Sequence, residues 1–176
     1  MRWLAFLIAV LLTITVQTAL APRMRVGGVQ PDFVLIVVVF FALYAPGLDA
    51  VLAGWVLGLA ADFQSIERFG LLAIGYALIA LGIYAVRPYL FRRHPLAQVF
   101  VTCIGGLLLY GLLFAALQLE SAVSGVRVAA PWRVLFGVPL YSALVAPLVQ
   151  RMMLPAAGLL GVETANYTHA RTLRIT

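Results

Sequence analysis

Six apolar segments divided by short polar breaks fill the chain from residue 3 to residue 150, a pattern that commits it to a bundle of helices in a bilayer. The segments run 3–21, 31–45, 48–62, 69–86, 96–118 and 132–150. The breaks are marked by Arg23, Arg25, Gly27 and Gly28, by Pro46-Gly47, by Asp62 to Arg68, by Arg87 to Pro95 and by Glu120 to Pro131. Of the 176 residues, 64% are hydrophobic and 10% charged, where soluble domains run at about 45–50% and about 25%. Too few polar side chains are present to cover a water-facing surface, which excludes soluble enzymes, secreted disulfide scaffolds and disordered regulators. The expected fold is an all-α integral membrane protein, a compact bundle of six transmembrane helices. Residues 1–151 form its single domain, and residues 152–176 form a cytoplasmic, partly interfacial tail.

Residues 2–21 imitate a secretory signal, with Arg2, an apolar stretch and Ala19-Leu20-Ala21 in the small-residue pattern that signal peptidases cut. Pro22 would follow the cut and fits an extended protease mode badly. The stretch also has nearly the ~20 residues that cross a bilayer, so it reads as a retained first helix. Segments two and three are short: about fifteen helical residues reach roughly 22 Å, less than the ~30 Å hydrocarbon core. They are either two tight spans or a re-entrant hairpin turning at Pro46-Gly47.

All twelve basic residues are Arg, giving a net charge of +6. They are scattered between apolar runs rather than gathered in a stripe, so they read as membrane-flanking anchors and not as a nucleic-acid surface. A cytoplasmic N-terminus puts Arg2, Arg87, Arg92, Arg93, Arg151, Arg171 and Arg174 inside and Arg23, Arg25, Arg68, Arg127 and Arg133 outside. That bias favours both termini in the cytoplasm. Cys103 is the single cysteine, and His94 and His169 are the two histidines. No intrachain disulfide is possible and no metal-ligand spacing is present, so no cofactor is expected.

Two carboxylates abut apolar spans. Asp32 follows Pro31, and a proline at the first helical position with an acid beside it suits the positive end of a helix dipole. Asp62 closes segment three, where a negative charge opposes the dipole. Pairing with Arg23, Arg25 or Arg68, or a contact with a partner chain, would relieve it. Both acids are expected at the outer rim, at similar depth, with only Gln64 and Ser65 as polar neighbours. That set does not make a catalytic site. Gly54 and Gly58 form a G-x-x-x-G in segment three, a pattern for close helix pairing with either an internal or a foreign neighbour. No HExxH, G-x-S-x-G or P-loop motif is found, so no enzyme activity is expected.

Gln30-Pro31-Asp32-Phe33 opening an aliphatic span, then Ala53-Gly54 and Leu57-Gly58-Leu59-Ala60-Ala61-Asp62, then Phe69-Gly70-Leu71, together resemble the rod shape-determining protein MreD family. The resemblance rests on residues 30–71, span number and length. Its matching residues are Pro31, Asp32, Gly54, Gly58, Asp62 and Gly70, with a partner-binding or structural role. The loop Gln64-Ser65-Ile66-Glu67-Arg68 departs from it, being bulkier and more charged than a Gly/Ser/Pro-rich linker.

The resemblance implies a non-enzymatic scaffold of the bacterial inner membrane that belongs to the cell-elongation machinery. It docks MreC, a membrane-anchored coiled-coil protein, and works with MreB, RodZ, RodA and a class B penicillin-binding protein in organising peptidoglycan synthesis. It also implies a fold similar to the substrate-binding subunit of energy-coupling-factor transporters. The alternative function is therefore a vitamin-binding subunit of a membrane transporter. For the scaffold, a partner helix is expected to dock on the small-residue surfaces near segments two and three, with Asp32 and Asp62 fixing register.

Overall fold

The computed structural model describes residues 2–64, 70–89, 95–124 and 132–162. They form α1 (Trp3–Ala19), α2 (Phe33–Tyr44), α3 (Asp49–Asp62), α4 (Leu71–Val86), α5 (Pro95–Ser124), α6 (Trp132–Met153) and the short α7 (Ala157–Leu160). Single 3₁₀ turns follow α4 and α6. Three helical stretches are long and apolar enough to cross a membrane, namely Leu71–Tyr89, Pro95–Leu119 and Trp132–Leu160.

The helices alternate in direction. The Phe33 amide at the start of α2 donates to Gln17 in the last turn of α1. At the opposite end Arg87, just past α4, donates to the Ala45 carbonyl just past α2. Asp62 at the end of α3 meets the first turn of α4, and the Arg2 amide donates to Leu160 O at 3.0 Å, joining the start of α1 to α7. The bundle thus has an Asp32 end and an Arg87 end, with α1 starting and α6 finishing at the latter. The short segments α2 and α3 run alongside α4 between these two ends.

All twelve residues of α2 are buried, and the helix packs against α1, α3, α4, α5 and α6. Five of the twelve, Val34, Ile36, Val37, Val38 and Val39, are β-branched, a composition that favours strands in water. Away from water every backbone polar group has to be answered locally, and the helix does that where a lone strand cannot. The helix ends at Ala45, which takes an extended conformation (φ −72°, ψ 144°) because the following Pro46 disfavours the helical one. Edge-on aromatic contacts join α1 to it, with Phe6 and Phe41 ring centres 5.2 Å apart.

The tightest seam is α3 on α4. A Cβ placed on Gly58 would lie 2.5 Å from the Ala73 Cα and 2.7 Å from the Leu72 carbonyl oxygen, and one on Gly54 would lie 2.8 Å from the Ala80 Cβ. The neighbour of the G-x-x-x-G is therefore internal. Gly106 of α5 likewise leaves room for Pro139 of α6, which would sit 2.9 Å from an added Cβ.

The bundle continues past residue 151, where the sequence suggests a tail. Ala157, Leu160 and Val162 are buried in the main core, while residues 163–176 lie outside the described set. The exposed side chains are bulky and apolar: Leu4, Leu7, Leu11 and Leu12 on α1, and Leu140, Leu144 and Leu148 on α6.

Because the contact at Gly58 is with backbone, the helices can accept a side chain there only by separating. Overpacking costs about 1–3 kcal/mol where side chains can yield, so Gly58→Val should cost at least that much and lower the thermal midpoint in mild detergent. Gly82→Ala, at a mid-helix glycine with nothing within 4 Å, should hold or raise the midpoint in the same melting experiment, since alanine is the better helix former by about 0.5–1 kcal/mol.

Candidate functional site

One cluster of buried polar groups gathers at the start of α2. Asp32 is its N-cap, with the Oδ1 atom accepting the Leu35 amide at 2.9 Å. Oδ2 accepts two phenol hydroxyls, from Tyr76 of α4 at 2.7 Å and Tyr110 of α5 at 3.1 Å. The Asp32 amide donates to Ser142 Oγ of α6 at 2.8 Å, and the Phe33 amide to Gln17 Oε1 of α1 at 2.7 Å. A helix start leaves four amides without intrahelical partners. Here the amides of Asp32, Phe33 and Leu35 are answered by side chains, two of which tie α2 to α6 and α1, and the tyrosines on the Asp32 carboxylate tie it to α4 and α5.

The helix start lies two residues later than the sequence suggests. Pro31 precedes the cap instead of occupying the first helical position, and Asp32 caps from outside the helix. Asp32 also lies deeper than an outer rim. Its partner Ser142 is ten residues into α6, about 15 Å from the start of that helix at 1.5 Å per residue. The loop before α2 follows it down: Tyr141 donates to the Met24 carbonyl at 3.0 Å, and Val29 fills the space beside Gly137.

Asp62 serves a second helix start. Its carboxylate accepts the amides of Gly70 at 3.0 Å, Leu72 at 3.1 Å and Ala73 at 2.9 Å. The charge that would be misplaced at the end of α3 thus sits on the positive end of α4, where it is favourable. Gly70 makes this possible with φ +96°, a left-handed conformation that suits glycine. Arg68, one of the sequence candidates to pair with Asp62, lies outside the described residues, as do Ser65 and the rest of the loop to Phe69.

The six sequence candidates therefore fall into two clusters and a seam. Pro31 and Asp32 stand at the α2 start, Asp62 and Gly70 at the α4 start, and Gly54 and Gly58 in the α3–α4 contact. Asp32 is 4% and Asp62 2% exposed; both carboxylates accept internal amides, and Asp32 accepts two hydroxyls as well. Gly54 and Gly58 of α3 are covered by α4, and every residue of α2 is buried.

Sequence reasoning missed Gln17, Tyr76, Tyr110 and Ser142, and took Arg87 only as a flanking anchor. Tyr110 carried a usable signal, since a hydroxyl in the middle of a 30-residue apolar helix needs a buried partner. Arg87 reads as a flanking anchor, yet it donates to the Ala45 carbonyl just past α2 and lies 5.1 Å from the Tyr84 ring centre. Among the described residues no group of three His, Cys, Asp or Glu side chains is placed to hold a metal ion.

The family profile of the rod shape-determining protein MreD matches residues 1–154, which takes in all six long helices and both carboxylate clusters. The chain belongs to the MreD family. Membership gives it a role in rod-shape determination and, with its apolar helices, a place in the membrane. No curated protein and no solved structure matches the chain significantly.

Removing Asp32 takes away the cap and leaves two buried hydroxyls unanswered, so Asp32→Ala should cost about 2–4 kcal/mol. Tyr76→Phe and Tyr110→Phe should each cost about 0.6–1.7 kcal/mol, the range for hydrogen bonds inside membrane bundles. Because both hydroxyls share one oxygen and each can partly cover for the loss of the other, the double variant should cost more than the sum of the singles in detergent-unfolding measurements. Asp62→Ala should cost about 2–4 kcal/mol by the same measurement, with Asp62→Asn recovering part of the loss through its remaining acceptor.

Proposed function

We propose that this MreD-family chain is a non-enzymatic scaffold of the bacterial inner membrane that docks MreC and helps organise peptidoglycan synthesis during elongation. MreB, RodZ, RodA and a class B penicillin-binding protein belong to the same assembly in this reading. The observation that carries it is how the polar groups of the interior are used. Asp32, Ser142 and Gln17 accept amides at the start of α2, Tyr76 and Tyr110 donate to the Asp32 carboxylate, and Asp62 is spent on α4. The result is a platform fastened from within, which offers neighbours an apolar perimeter.

A partner helix then meets bulky side chains such as Leu7 and Leu11 of α1 or Leu144 of α6, by dispersion contacts that need no buried polar group. The vitamin-binding alternative would need convergent polar groups free to receive a ligand; those at the Asp32 end are engaged with helix starts. The reading of cytoplasmic termini is supported by the Arg2–Leu160 bond, which sets the start of α1 and α7 together at the Arg87 end. The chain ends and connections on that side carry seven of the twelve arginines, in keeping with the positive-inside bias.

The test is recovery of tagged protein from native membranes in mild detergent, with co-purifying proteins and small molecules identified by mass spectrometry. A bitopic coiled-coil protein together with wall-synthesis enzymes is the expected result. A stoichiometric vitamin accompanied by an ATPase module would overturn the proposal. Since Asp62 faces inward, Asp62→Asn should leave partner recovery per folded molecule within about twofold, the scale of a few tenths of a kcal/mol.

A further inference from the structure

Helix α6 carries two prolines, Pro139 and Pro147, each followed three residues later by a buried polar side chain, Ser142 and Gln150. Ser142 is engaged by the Asp32 amide. Gln150 is fully buried, and neither its Oε1 nor its Nε2 has a hydrogen-bond partner among the described residues. Ser142, Ala146 and Gln150 lie four residues apart on the inward stripe of α6, and Ala146 packs with Phe33 and Ile36 of α2. Gln150 therefore continues the face that α6 turns to the core.

A carboxamide brings two donors and an acceptor, and leaving them unanswered in an apolar interior is costly. A second unanswered group stands nearby by chemistry alone. Pro147 has no N–H, so the Ala143 carbonyl loses the donor that an ordinary helix supplies. Helix side chains lean toward the N-terminus, which brings the Gln150 amide back along α6 toward Pro147 and that carbonyl. Prolines inside membrane helices persist where polar side chains and ordered water answer the freed backbone. A water molecule has the donors for the carbonyl and the acceptor for the amide, and it needs two to four polar partners.

We propose that Gln150 and the Ala143 carbonyl together bind buried water at Pro147, forming a hydrated joint in α6. The site belongs to α6 alone and stands whether or not the chain docks MreC.

The test uses the full chain in detergent micelles with nitrogen-15 in the glutamine side chains, read by water-to-amide cross-relaxation. The Gln150 amide signal is assigned by its loss in Gln150→Leu, or in Gln150→Met should the leucine variant fail to fold. A water cross-peak at the Gln150 amide is expected, and Pro147→Ala, which restores the N–H to the Ala143 carbonyl, should weaken it at least twofold. A Gln150 amide with no water cross-peak overturns the proposal. A higher thermal midpoint in Gln150→Leu than in the parent protein overturns it as well, because that gain is the mark of a dry, unanswered amide.

Discussion

A helix with no face toward lipid must have both of its ends answered by its neighbours, and much of this bundle is organised around meeting that demand for α2. At its start, four other helices are drawn in through Gln17, Tyr76, Tyr110 and Ser142, with Asp32 as the common point. At its finish, Arg87 reaches the Ala45 carbonyl from the end of α4. An acid at the positive end and a guanidinium at the negative end complement the peptide dipoles. In a setting that screens charge poorly, both contacts gain strength. The apolar walls between these ends are non-directional and would tolerate sliding. The polar ties fix how deep α2 sits and which side of each neighbour faces it.

The same economy explains why the chain holds few acids and where two of them lie. Each carboxylate is spent on a helix start that is remote from bulk water. Asp62 serves α4 through three amides, while the glycines of α3 let the two helices approach until backbone touches backbone. The α3–α4 hairpin is thereby closed along its length by Gly54 and Gly58 and at one end by Asp62. The outer surface is left to leucines, which can meet lipid or another helix with equal ease.

Much of this architecture was legible in the apolar pattern. The segment at 48–62 became a helix from Asp49 to Asp62, and the segment at 132–150 a helix from Trp132 to Met153, because hydropathy reports directly which residues can enter hydrocarbon. What the pattern could not carry was depth and partnership. Asp32 looks like a rim residue because it begins a span, yet the preceding loop folds down along α6 and takes it inward. The destination of Asp62 was equally hidden, since its acceptor role depends on a turn eight to eleven residues on, with a glycine at a position where φ is positive. Gly54 and Gly58 announced close packing, but the spacing is the same whether the neighbour is α4 or a foreign helix. Tyr76 and Ser142 carry no local signature, because their role exists only across helices.

The bond from the Asp32 amide to Ser142 spans 110 residues of chain, and this sets an order on biogenesis. Helix α2 leaves the ribosome among the first segments, while the hydroxyl that answers its cap is among the last to arrive. Until α6 enters, the core helix waits in the membrane with its start incompletely satisfied, held by Gln17 and then by the tyrosines of α4 and α5. Completion of the bundle is therefore a property of the whole polypeptide, and a chain interrupted before α6 exposes the defect at its centre, where quality-control proteases of the membrane can recognise it.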